Sequence, residues 1–84
     1  MIKIKFFSTL RQAAGCDDVD LQAATVSEAV HGLKQRFSGN EKFLNQLKVS
    51  NAILNGSNVT FIQGPATILK DGDELVFFPP LGGG

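Results

Sequence analysis

Apolar and polar residues alternate from the start of the chain. In Ile2-Lys3-Ile4-Lys5-Phe6-Phe7, Ile2, Ile4 and Phe6 fall on one side, and Lys3, Lys5 and Phe7 on the other. That period of two predicts a strand with one buried face. Leu10-Arg11-Gln12-Ala13-Ala14 reads as a helical turn or a connector that stops at Gly15. Val19 and Leu21 alternate with Asp18, Asp20 and Gln22, which predicts a short second strand hairpinned to the first. The period then changes. Thr25-Val26-Ser27-Glu28 has the form of a capping box, with Thr25 at the N-cap, and Val26, Ala29, Val30, Leu33 and Phe37 come next at helical spacing. A helix is expected to about Phe37, ended by Ser38-Gly39-Asn40, and a shorter one over residues 41–48 with Phe43, Leu44 and Leu47. Ala52-Ile53-Leu54 enters a tight turn at Asn55-Gly56. Residues 59–62 are predicted as a strand, Gly64-Pro65 as a turn and Ile68-Leu69 as a short apolar piece. Asp71-Gly72-Asp73 reads as a turn into the last strand, residues 74–78.

Strand, strand, helix, short helix and three further strands make an α+β chain. The arrangement that suits this order is the β-grasp: a mixed four- to five-stranded sheet packed on one main helix. The last strand, Glu74-Leu75-Val76-Phe77-Phe78, is nearly all apolar, as expected inside a sheet, and in a β-grasp it lies parallel to the first strand. By parity Leu75 and Phe77 face the helix, while Val76, Phe78 and the neighbouring Phe7 share the outer face. These three are the expected partner-binding patch; in the alternative, parity flips and Phe6 is the residue left outside.

The 84 residues bound the chain to one domain with a modest core. A hydrophobic share of 43% is enough for a globular fold. Lys+Arg and Asp+Glu balance at eight each, so nothing in the charge argues for nucleic acid. Cys16 is the single cysteine, and no signal peptide or long apolar run stands out. A reducing, cytosolic setting and no membrane are therefore expected.

The domain is expected to cover residues 1–78, with residues 79–84 as an extended C-terminal tail. Pro79 and Pro80 each fix φ and remove a backbone donor, which ends the strand and projects the last residues away from the sheet. Leu81, Gly82, Gly83 and Gly84 then form a slender tip. A carboxylate on Gly84 is ionised at neutral pH and has no Cβ to obstruct a narrow channel. A frayed terminus is the plain alternative.

The order of elements, together with Gly72-Asp73-Glu74, the apolar strand, Phe77-Phe78-Pro79-Pro80 and the terminal glycines, resembles the small subunit of molybdopterin synthase. That subunit belongs to the ubiquitin-like sulfur carriers. Ile2-Lys3-Ile4-Lys5-Phe6-Phe7 and Thr25-Val26 also look like it. A departure stands at Gly82, where relatives often carry a small polar residue.

The resemblance implies that a ubiquitin-activating-enzyme-like adenylyltransferase uses ATP to form an acyl-adenylate on Gly84. A cysteine desulfurase or other persulfide donor then supplies sulfur, leaving 1-thioglycine, a thiocarboxylate, at Gly84. It also implies a larger synthase subunit as partner, in a heterotetramer, with the sulfur passing to precursor Z to form the molybdopterin dithiolene. No cofactor is expected on the chain itself. Gly84 and Gly83 would be the reacting end, and Pro79, Pro80, Leu81 and Gly82 the tail that delivers it. Alternatives are a carrier for thiamin, cysteine or tRNA thiolation, a ubiquitin-like protein modifier, and a plain interaction module.

Other residues carry less. His31 lies off the apolar stripe of its helix and has no Cys or His partner at metal-ligand spacing, so no metal site is expected. Cys16 reads as a small space-filler rather than a nucleophile. Asp71, Asp73 and Glu74 read as a turn, with at most a pairing role towards basic residues of a partner.

Overall fold

The structure is a computed structural model in which residues 1–58 and 64–79 are described. The elements are β1 (Ile2–Phe6), α1 (Ser8–Ala14), β2 (Asp18–Leu21), α2 (Val26–Arg36), α3 (Glu41–Val49), β3 (Asn51–Leu54), β4 (Ser57–Asn58), a 3-10 turn at Gly64–Ala66, and β5 (Glu74–Phe78). The five strands form one sheet in the order β2-β1-β5-β3-β4. β5 runs parallel to β1 and antiparallel to β3, so the last strand sits at the centre of the sheet. This is the mixed sheet of the β-grasp. The strand predicted over residues 59–62 lies outside the described residues; β4 precedes it at Ser57–Asn58.

β1 alternates as its sequence demands. Ile2, Ile4 and Phe6 are buried, and Lys3 and Lys5 are not. The strand stops one residue sooner than the pattern suggests. Phe7 remains extended (φ −119°, ψ 155°), but Ser8 takes φ 59°, and Phe7 becomes the residue that precedes α1. Of the two forms the sequence allows for Leu10–Ala14, helical turn or connector, the chain adopts the helix. Gly15 ends it at φ 76°, a left-handed conformation that costs a non-glycine residue about 1–2 kcal/mol. Because α1 intervenes, β1 and β2 pair antiparallel without a tight hairpin turn.

At the start of α2 the Thr25 side chain accepts from the Glu28 N–H at 3.2 Å. Glu28 Oε1 reaches back past Thr25 to accept from the Ala24 N–H at 3.0 Å. Val26, Ala29 and Leu33 bury the stripe, with Val30 and Phe37 packed at its margin. α3 is capped by Asn40, whose Oδ1 accepts from the Phe43 N–H at 3.1 Å. The Asn40 Nδ2 donates to the Ala13 carbonyl at 2.8 Å and so ties the end of α1 to the start of α3.

The core is one cluster between the sheet and the helices. Its aromatic centre is Phe6, Phe37 and Phe43. Phe37 and Phe43 stack at 4.1 Å, and Phe6 meets them edge-on at 5.8 and 5.2 Å. Such pairs add about 0.5–1.5 kcal/mol beyond the area they bury. They fix β1, and with it the neighbouring β5, against the helices.

Candidate functional site

The site is built around β5 and the residue that leaves it. Leu75 and Phe77 point into the core, with Ile4 and Phe6 as their β1 neighbours. Val76 and Phe78 lie on the opposite face and are half-buried. Lys5 and Ile53 flank Val76, and Asn51 pairs with Phe78. The Phe7 N–H donates to the Phe77 carbonyl at 3.1 Å, which carries the β1–β5 register one residue beyond β1. Phe7 is 53% exposed. The register therefore sets Phe7 next to Phe78, with Val76 two residues back along the same face. Only its secondary structure differs from expectation: Phe7 stands at the head of α1 rather than within β1, because the chain turns at Ser8.

This outer face is graded. On the β2 side, Lys3 stands opposite Asp20 and Lys5 opposite Asp18. Lys5 Nζ also lies 3.5 Å from Glu74 Oε2. Towards the end of β5 the face becomes apolar through Val76, Phe78, Phe7 and Ile53. Nothing in the local sequence singles out Ile53, since only the β3–β5 register aligns it with Val76. The charged side is solvated and weakly held. The apolar side adjoins Pro79, which is half-buried where the chain leaves the sheet. Pro80, Leu81, Gly82, Gly83 and Gly84 lie outside the described residues.

The other end of β5 is locked. Asn55, at φ 48°, donates through Nδ2 to Asp73 Oδ1 at 3.0 Å. Its Oδ1 accepts from the Glu74 N–H at 2.9 Å, and its own N–H donates to the Glu74 carbonyl at 2.9 Å. Asp73 Oδ2 accepts from the Lys70 N–H at 2.8 Å. The Asp73 carboxyl is held below its ordinary value, first by the hydrogen bond from the Lys70 backbone and then by that from Asn55. The turn predicted at Asp71-Gly72-Asp73 thus anchors the strand.

Among the described residues no cluster of His, Cys, Asp and Glu could hold a metal ion. His31 is exposed on α2, and Cys16 is half-buried against the core. Among the described residues no helix is long and apolar enough to cross a membrane.

Residues 4–84 match the sequence model of the ThiS family. The chain belongs to the ThiS family. It is 30% identical to small archaeal modifier protein 3 of Haloferax volcanii, over 99% of this chain and 98% of that protein. The solution structure of small archaeal modifier protein 1 from Methanosarcina acetivorans is similar with a TM-score of 0.84 at 29% identity, covering 99% of this chain and 95% of that one. A Pyrococcus furiosus protein described as a candidate molybdopterin converting factor, subunit 1, is similar with a TM-score of 0.76 at 30% identity, covering 95% and 97%. The ThiS-family chain is thus a ubiquitin-like β-grasp protein of the sulfur-carrier and modifier class. The family match extends through Gly84, and so takes in the glycine run beyond β5.

Proposed function

We propose that this ThiS-family protein carries sulfur as a thiocarboxylate on Gly84 and delivers it as the small subunit of molybdopterin synthase. The observation that carries the reading is the placement of β5. The central strand of the sheet, locked at one end by Asn55 and Asp73, leads at its other end through Pro79 into a glycine run that the family match includes.

The chemistry stems from the poor reactivity of a carboxylate, whose oxygen does not leave. The Gly84 carboxylate attacks the α-phosphate of ATP on an adenylyltransferase, pyrophosphate departs, and AMP becomes the leaving group. A persulfide sulfur from a desulfurase attacks the acyl carbon and AMP leaves. A thiol cleaves the resulting acyl disulfide and frees the thiocarboxylate. Gly83 and Gly84 add no side chain to the path, and the two prolines reduce the freedom lost when the tail docks. The Phe7–Val76–Phe78 face, with Ile53, is the surface that the activating and synthase partners would grip in turn.

The molybdopterin precursor is the preferred acceptor because Phe77-Phe78-Pro79-Pro80 resembles that branch and because of the likeness to the Pyrococcus furiosus subunit. A second reading, attachment of Gly84 to lysines of other proteins, is favoured by the Haloferax volcanii modifier relative. Incubation with ATP, the activating enzyme and a sulfur donor should exchange one oxygen for sulfur, read by intact mass. A chain extended by one residue after Gly84 should show no exchange; exchange in the extended chain would overturn the proposal. Covalent ladders on other proteins, without sulfur transfer to the pterin precursor, would favour the second reading.

A further inference from the structure

On the helix side of the sheet lies a groove that the tail chemistry does not use. It has a volume of about 550 Å³ and runs between α2, the end of α3, the start of β3 and Gly64. Val26, Leu47 and Phe77 lie buried beneath it, Val30 and Ala52 line it half-buried, and the exposed His31, Lys34 and Lys48 stand around it. Among the described residues, neither lysine nor the histidine forms an ion pair, and none of those lining the groove is acidic. The surrounding stretch carries a positive excess within a neutral chain. Residues 26–49 hold Lys34, Arg36, Lys42 and Lys48 against Glu28 and Glu41, four positive charges and two negative.

Length argues for an extended occupant. From Val26 to Lys34 the lining follows α2 for about 12 Å at the helical rise per residue. That is the span of about four extended residues. A compact anion would satisfy the lysines and leave the half-buried Val30 and Ala52 uncovered. A basic segment would be repelled.

We propose that the groove binds an extended acidic peptide segment of a protein partner, with an apolar side chain against the half-buried Val30 and Ala52 and carboxylates towards Lys34 and Lys48. Phe77 and Phe78 point to opposite sides of β5, so a partner held here leaves the outer face free. Binding at the groove needs no sulfur on Gly84, and failure of thiocarboxylate formation would leave it unchanged.

The test is an NMR titration of the ¹⁵N-labelled full chain with a short peptide alternating Glu and Leu, with its Lys and Leu counterpart, and with AMP as a small anion. The acidic peptide should shift the amides of Val30, His31, Lys34, Lys48 and Ala52 with saturation, and the basic one should not. Lys34→Glu combined with Lys48→Glu should weaken binding by about tenfold or more with the spectrum still dispersed. If that double variant loses its fold, Lys34→Gln with Lys48→Gln should weaken binding about threefold. Equal binding of both peptides, tighter binding of AMP at the same amides, shifts confined to Val76 and Phe78, undiminished binding by the folded variant, or no shifts at all would each overturn the proposal.

Discussion

The two faces of β5 meet different surroundings. Leu75 and Phe77 are 0% and 3% exposed and pack beneath the helices. Val76 and Phe78, each one residue away, are half-buried on a face that lacks a helical cover among the described residues. The period of two lets one strand hold the core with one set of side chains and offer another set to a partner. A change on the outer face can therefore alter recognition while the fold persists.

Phe77→Ala should break the inner side of this comparison. It removes a buried aromatic from the centre of the sheet and should cost about 3–5 kcal/mol in chemical denaturation. A loss below about 1 kcal/mol would place Phe77 outside the core. Asn55→Ala strips two side-chain hydrogen bonds from the start of β5 and leaves alanine at a positive φ. The expected cost is about 1–2 kcal/mol by the same measurement. Phe78→Ala sharpens the outer side. Its stability should fall by about 1 kcal/mol or less, while affinity for the activating partner, read by calorimetry, falls about tenfold or more. A large loss of stability with unchanged affinity would make Phe78 an ordinary core residue.

The smallest effect is in pH. The folded state holds the Asp73 carboxyl below its unfolded value, so it favours the ionised form. Its stabilising contribution is present above the ordinary carboxylate range, about pH 4, and is lost as pH falls through the lower folded value. The effect is modest because the group is open to solvent. Denaturation midpoints should decline on acidification, and Asp73→Asn should flatten that decline at its lower end. An unchanged profile in the variant would remove Asp73 from the lock.

Much of this is legible from periodicity. The alternation of Ile2, Ile4 and Phe6, the Thr25 cap and the apolar β5 each rest on local spacing, and local spacing decides them. The features that escape a sequence reading rest on long-range geometry. The tie from Asn40 to Ala13 joins residues 27 positions apart, and nothing in either neighbourhood announces it. Asn55 reads as a turn residue, and only β3–β5 pairing turns it into a lock on Glu74. Ile53 joins the outer apolar face for the same reason. The early end of β1 comes from Ser8, whose positive φ no propensity scale anticipates. At the site, Phe7, Val76 and Phe78 can be assigned to one face from parity alone, whereas the cationic groove needs α2, α3 and β3 brought together.

The most direct test of the sulfur-carrier account is fragment mass spectrometry of the native chain after ATP-dependent charging with a sulfur donor. The account predicts one sulfur-for-oxygen exchange on the fragment ending at Gly84, and none when Gly84 is followed by an added residue. Addition of a whole sulfur atom at Cys16, with the Gly84 fragment unchanged, would contradict it.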